Sequence, residues 1–315
     1  MSARQPTAKM PPLWIVKTRA PFFTATVVPI CLGAAVAWAA TGTFHVGYFV
    51  LTLLGALCLH AGTNMTNDYF DHTWGSDEIN TEFANPFTGG SRLIQMGLVR
   101  PEVYLREGLL FFAAGSLIGV ILWLTRGPLV LWLGLIGLFS GYFYTAPPLR
   151  LAGTGLGELL IGLNFGPLMV LGSYYTLTQT ISWEPVLASL PVGLLIALVV
   201  WINQFQDMRA DAAVGKRHLV VRLGRKRAAT VYGLLLALVY LSLVAAVFLG
   251  DATPFSLLGL LTAPLAVRAC QVARTHYDHP RELVPANAAT IQIHLLTGGL
   301  LTLGYLIQGI VRWLL

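Results

Sequence analysis

Apolar runs of about twenty residues recur from one end of this 315-residue chain to the other. A helix rises about 1.5 Å per residue, so each run is long enough to cross the roughly 30 Å hydrocarbon core of a bilayer. A soluble domain carries about a quarter charged residues; here the charged share is 11% and the hydrophobic share 56%. The sequence therefore predicts an all-α polytopic membrane protein. Nine segments qualify, near 22–41, 46–66, 106–125, 128–146, 155–177, 184–204, 228–249, 254–272 and 288–312. The last is the least regular, because Asn287, Gln292 and His294 interrupt its start. The first ends in Ala37-Trp38-Ala39, which resembles a signal-peptidase site, but its length and Pro29 favour a retained helix.

Nine crossings divide the connections between two faces. The N-terminus and the gaps after segments two, four, six and eight hold 18 of the 20 Lys and Arg residues, leaving Arg126 and Arg312 opposite. Cytoplasmic loops carry the basic excess, so that face, with the N-terminus, is expected to be cytoplasmic in a cell (inner) membrane. The net charge of +6 is then a record of topology and gives no reason to expect nucleic acid as a partner. Cys31, Cys58 and Cys270 lie in or beside apolar runs without CxxC spacing, which reads as packing. Small-xxx-small pairs (Gly115/Gly119, Gly137/Gly141, Gly162/Gly166) read as close helix contacts.

Two connections on the basic face are expected to be functional, 67–105 and 205–227, since loops beyond about 12–15 residues usually are. Both begin with the same pattern. Asn67-Asp68-Tyr69-Phe70-Asp71 and Asn203-Gln204-Phe205-Gln206-Asp207 each read Asn-x-x-x-Asp, and Asp211 follows one turn later. Residues four apart share a helix face, so Asn203, Asp207 and Asp211 form one stripe and His60, Asn64, Asn67 and Asp71 another. Acids placed where hydrocarbon ends repel one another unless a cation joins them. Carboxylate and amide oxygens suit Mg²⁺, which binds one or two carboxylates and completes its shell with water and substrate phosphates. Two such clusters imply a diphosphate, with Lys216, Arg217 and Arg92 as basic partners and a greasy remainder lying in the bundle.

Other features have plainer readings. Arg225–Arg227 reads as a charge anchor, Gly153-Thr-Gly-Leu-Gly157 as a helix start, and His276-x-x-His279 as an exposed pair. Glu158 either pairs with a basic side chain or lines the cavity.

Asn67-Asp-Tyr-Phe-Asp71, Gly89-Gly-Ser91-Arg92, Tyr144-Thr-Ala-Pro-Pro148, Asn203…Asp207…Asp211 with Gly215-Lys-Arg217, and Val221-Arg-Leu-Gly224 together resemble the UbiA superfamily of intramembrane aromatic prenyltransferases, over nearly the whole chain. Within it they are most similar to the 1,4-dihydroxy-2-naphthoate polyprenyltransferase branch of menaquinone synthesis. The resemblance implies one domain over 1–315: a cytoplasmic N-terminal segment 1–20, nine transmembrane helices, and a cytoplasmic cap from the loops after helices two and six. It implies an allylic polyprenyl diphosphate and an aromatic acceptor as partners, with two Mg²⁺ ions held by Asp68, Asp71, Asp207 and Asp211. Many members carry an acid four residues beyond the position of Asp71. Here that position is Gly75, and Asp77, two residues on, stands as the displaced candidate ligand. Asn67, Asn203, Asn64 and Ser91 are candidate substrate contacts, and Lys216, Arg217 and Arg92 would steady the leaving diphosphate. Tyr142 and Tyr144 are candidates to face an allylic cation, and Arg19 to hold an acceptor carboxylate.

Hydroxybenzoate, homogentisate, a tetrapyrrole or an archaeal glycerol lipid stay open as acceptors. Two different classes fit less well. A secondary transporter places its ionisable residues near the midplane, whereas here they sit at helix ends. A phosphatidyl-type transferase has an Asp-Gly…Ala-Arg…Gly…Asp spacing that this chain lacks.

Overall fold

The structure, a computed structural model, describes residues 11–250 and 252–314. Residues 1–10, with Arg4 and Lys9 of the expected N-terminal segment, lie outside the described residues. Helices account for the regular structure, and no strand occurs among the described residues. The principal helices are α1 Thr24–Thr41, α2 Val46–Trp74, α3 Pro101–Arg126, α4 Pro128–Tyr142, α5 Gly157–Thr178, α6 Trp183–Ala213, α7 Arg225–Phe248, α8 Pro254–His276 and α9 Val284–Leu314. Eight stretches among the described residues are long and apolar enough to cross a membrane, and α4 is a shorter apolar helix of 15 residues. The protein is thus a multi-pass membrane protein.

Several boundaries differ from those read in the sequence, each for a local reason. α2 and α6 run to Trp74 and Ala213, well past 66 and 204. Neither 67–74 nor 205–213 contains Gly or Pro to stop a helix. What ends α2 is Gly75 at φ +81°, a left-handed cap that glycine adopts without Cβ strain. Gly215, also at φ +81°, reverses the chain after α6. The acidic motifs therefore ride on rigid helix ends, and the loops proper begin after them. α4 stops at Tyr142 rather than 146, because the approaching Pro147 and Pro148 have no N–H to donate. α8 opens as a 3₁₀ segment, Pro254–Thr262, before Pro264 starts its α-helical part. α9 begins at Val284, since Asn287 is buried and satisfied by Asn203 and Gln206 and does not fray the helix.

Glycines set the closest helix contacts. On α2 and α3, Gly62 faces the Gly108 carbonyl and Gly115 faces that of Gly55, where a Cβ would sit 3.0–3.1 Å from backbone oxygen. α5 and α6 touch at Gly162, Gly166 and Gly193, so that Gly162/Gly166 is the packing pair its spacing suggests. Beside them α5 is wound as a π-turn over Asn164–Leu168, which contains Pro167. In each of the other two pairs one member packs as expected, Gly115 against α2 and Gly141 against Thr63, while its partner does not. Gly119 has open space where a Cβ would be, and Gly137 has only the Asn164 Oδ1 at 4.0 Å; both line a cavity.

Gly193→Val should be among the most damaging apolar substitutions, because its Cβ would lie 2.6 Å from the Gly162 carbonyl oxygen. Overpacking of this kind costs about 1–3 kcal/mol. A thermal-unfolding assay in detergent should show a clear fall in Tm, and an unchanged Tm would refute the contact.

Candidate functional site

The ends of α2 and α6 converge on one polar chamber. Lys216, just past α6, lies with Nζ 2.6 Å from Asp71 Oδ1 and 3.2 Å from Asp211 Oδ1. Its ammonium also stands 5.0 Å over the ring of Trp74. Burial alone would push the Lys216 pKa down, but the two carboxylates outweigh it and hold the amine above its ordinary value. Asn80 donates to Asp207 Oδ1 at 2.7 Å, tying the loop after α2 to α6. Asn67 donates to Asp71 Oδ2 and accepts from Arg19. His218 Nε2 lies 3.3 Å from Asp211 Oδ2.

Asp68 faces away from this group, only 3% exposed, and accepts the Ser91 N–H on Oδ2. Its Oδ1 has no hydrogen bond, and Arg19 stands 3.7 Å off. Gly90, at φ +67°, passes so near that a Cβ would sit 2.9 Å from Asp68 Oδ1 and 3.1 Å from Asp77 Oδ2. Glycine is thus required for the loop to lie against both carboxylates. Asp77 is buried there, and burial together with the charges of Asp71 and Asp68 pushes its pKa up to about 9.

The chamber, about 200 Å³, is lined by Arg19, Asn64, Asn67, Asp71, Asp77, Tyr144, Asn203, Asp207, Asp211 and Lys216 among the residues singled out in the sequence. It adjoins a second, apolar chamber of about 280 Å³ between α2, α3, α4 and α5. His60, Thr63, Tyr144, Ile161 and Phe165 line both.

Besides Asp68, an expected metal ligand, four expected residues lie outside the chamber lining. Arg217 is exposed, because its N–H binds the Gly153 carbonyl and its own carbonyl accepts from Arg222. Arg92, at φ +64°, donates to the Asp77 carbonyl and stacks 4.3 Å from the Phe83 ring, so it braces the loop. Ser91 is spent on Asp68 and Tyr104. Tyr142 packs edge-on against Phe70, Phe112 and Phe143.

Sequence reasoning missed Asn80, Trp74 and His218, which no motif marks. It left Glu158 open; the carboxylate is buried and accepts the Leu219 N–H at 2.8 Å, fastening the Lys216 segment to α5. Arg225 is buried and pairs with Glu82 and Asp278, while Arg209 reaches Glu82 at 2.7 Å. It is therefore an internal strut rather than a surface anchor.

The donor chemistry fits Mg²⁺. Four carboxylates, Asp71, Asp77, Asp207 and Asp211, share the chamber lining with two cations, Arg19 and Lys216, and beside it Asp68 Oδ1 is buried without a hydrogen bond. Among the described residues no three acidic, His or Cys side chains form a ready-made nest. That suits an ion which takes one or two carboxylates and draws the rest from water and phosphate.

The residue pattern of the UbiA prenyltransferase family matches residues 26–296. The chain belongs to that family. Being a UbiA protein, it is a prenyltransferase. It is 31% identical over 293 residues to the 2-carboxy-1,4-naphthoquinone phytyltransferase of Synechocystis sp., covering 93% of this chain and 92% of that one. It is 29% identical to the 1,4-dihydroxy-2-naphthoate octaprenyltransferase of Bacillus subtilis, covering 94% and 92%. The fold is shared with a UbiA homolog from Archaeoglobus fulgidus bound to DMAPP and Mg²⁺, with a TM-score of 0.59 at 16% identity, over 91% of this chain and 98% of that one.

The geometry separates two neighbouring cations. Lys216→Ala should raise KM for the prenyl diphosphate and lower kcat, each by roughly tenfold or more for a buried charged contact. Arg217→Ala should leave both within about twofold. Steady-state kinetics on the two single variants checks this, and equal effects would overturn the assignment.

Proposed function

We propose that this UbiA prenyltransferase moves a polyprenyl group from an allylic polyprenyl diphosphate onto 1,4-dihydroxy-2-naphthoate, in menaquinone biosynthesis. The observation that carries the reading is that a carboxylate-lined chamber lies directly beside an apolar one, with Tyr144 and His60 lining both. A charged head and a hydrocarbon tail need these two solvents side by side. The names of the Synechocystis and Bacillus relatives support the naphthoate acceptor, and the ligands of the Archaeoglobus relative support the donor and the metal.

Two Mg²⁺ ions, held by Asp71 and Asp77 with Asn67 and by Asp207 and Asp211 with Asn203, would neutralise the diphosphate and ease its departure, with Asp68 standing behind them against Arg19 rather than as a ligand. Lys216 supplies a fixed positive charge to the leaving oxygens at a buried place, where it acts strongly. Tyr144, at the junction, turns an aromatic face toward the allylic cation. The loops proper within the expected cap segments, 75–100 and 214–224, form a cap that keeps water from trapping the cation. Arg19 holds the acceptor carboxylate within reach of the ring attack. The ring carbon bearing that carboxylate bonds to the prenyl carbon. The carbon–carboxylate bond then breaks, its electron pair restores aromaticity, and carbon dioxide leaves.

In this reading the chain is a single domain with its site at the cytoplasmic face of a cell membrane, as the basic excess favours. The ninth crossing is α4, whose 15 residues span about 22 Å, a length that thins the local bilayer.

Asp71→Ala and Asp207→Ala should each reduce turnover by at least about a hundredfold while the protein still inserts in the membrane. Excess EDTA should stop the wild-type reaction, and added Mg²⁺ should restore it. Near-normal activity of either variant would refute the shared diphosphate grip. Incubating purified protein with one labelled prenyl diphosphate and a panel of aromatic acceptors decides the acceptor, and failure to prenylate dihydroxynaphthoate while another acceptor reacts would replace it.

A further inference from the structure

His60 stands where the two chambers meet, and the reaction described above gives it no task. It is only 7% exposed, yet its ring contributes to the lining of both chambers. Three neighbours fix its orientation. Phe165 meets it edge-on with centroids 4.9 Å apart, Phe23 lies tilted at 5.4 Å, and Nδ1 is 2.8 Å from Thr26 Oγ1.

The hydroxyl of Thr26 settles which ring nitrogen carries hydrogen. Thr63 and Thr66, on the same helix as His60, spend their hydroxyl hydrogens on the carbonyls of Leu59 and Gly62, one turn back. Thr26 makes no such bond among the described residues, and it is fully buried. A buried hydroxyl needs an acceptor, and the lone pair of Nδ1 is the one beside it. A neutral imidazole that accepts at Nδ1 carries its hydrogen on Nε2. Among the described residues Nε2 has no protein partner, so the ring offers an N–H to whatever occupies the junction. Two of the polar groups around it are already committed. Asn64 donates to the Thr18 carbonyl and Thr63 to that of Leu59, so neither of those hydrogens is offered to the junction.

We propose that His60 Nε2–H donates a hydrogen bond to a ring oxygen of the aromatic acceptor and so decides which ring carbon faces the allylic end of the prenyl chain. Thr26 is the positioning residue that holds the imidazole in the donating tautomer. The ligand class is a flat hydroxyaromatic, its oxygen held by the imidazole and its ring set against the edge of Phe165. The inference rests on the function proposed above, because it presupposes an aromatic acceptor in this chamber. No proton is consumed, since His60 donates a hydrogen bond and stays neutral throughout.

The test is steady-state kinetics on purified protein with dihydroxynaphthoate and a fixed prenyl diphosphate. His60→Phe keeps a ring of similar shape and removes the donor. KM for the acceptor should rise about tenfold, the effect of one hydrogen bond, while KM for the prenyl diphosphate stays within about twofold. Thr26→Val, which leaves His60 in place and unpins its tautomer, should raise acceptor KM in the same direction, and Thr26→Ser should restore it. That pair decides the matter even if His60→Phe does not fold. An unchanged acceptor KM in both His60→Phe and Thr26→Val overturns the proposal, as does a parallel rise in both substrates' KM, which would mean packing alone. Wild-type protein that ignores dihydroxynaphthoate but prenylates another aromatic acceptor would instead overturn the proposed function, and the same variants measured with that acceptor would still decide the role of His60.

Discussion

The ammonium of Lys216, set between Asp71 and Asp211, is what lets two acidic helix ends share one buried chamber. Without a cation between them, α2 and α6 would carry like charges into a region of low dielectric, where repulsion is strong. The same balance recurs around the rim. Arg19 stands beside Asp68, and Arg225 joins Glu82 to the end of α6 through the Phe205 carbonyl. Each pair joins an element of one half of the chain to an element of the other or to the N-terminal segment. Electrostatics here assembles the site as well as equipping it.

Packing does the complementary task. Where helices must come together, glycines let backbones touch, as at Gly62/Gly108 and Gly162/Gly193. Where hydrocarbon must be admitted, the same residue type is left facing space, as at Gly119 and Gly134. The polar rim and the apolar interior are therefore products of one bundle whose contacts are selectively withheld. The π-turn at Asn164–Leu168 belongs to this arrangement. It places Asn164 against Ser140, one of the few polar contacts in a largely apolar wall.

Much of this was legible in the sequence because it is written in short-range patterns. The apolar runs gave the helices, and the two Asn-x-x-x-Asp motifs pointed to the two helix ends that converge. Legibility failed where a residue's role depends on the fold's three-dimensional path. Lys216 and Arg217 are adjacent and equally basic in sequence, yet a backbone bond to Gly153 turns one outward and leaves the other in the chamber. Asn80 and Trp74 belong to no motif; they matter because the chain folds back at Gly75. Gly137 and Gly162 have the same small-xxx-small spacing, and only the presence or absence of a facing helix tells a contact from a void.

The seam between α1 and α9 has a consequence for how the protein comes to exist. Gly298 sits against Val28 and Gly309 against Trp38, and the Trp313 indole donates to the Ala39 carbonyl across 274 positions. During synthesis α1 enters the membrane first among these helices, and the surface that finally covers it emerges after every other helix has been threaded. Until then the strip of α1 that α9 will cover must be sheltered by lipid or by insertion machinery. The seam between α1 and α9 therefore forms late, and an arrest in translation before α9 leaves α1 uncovered along that seam.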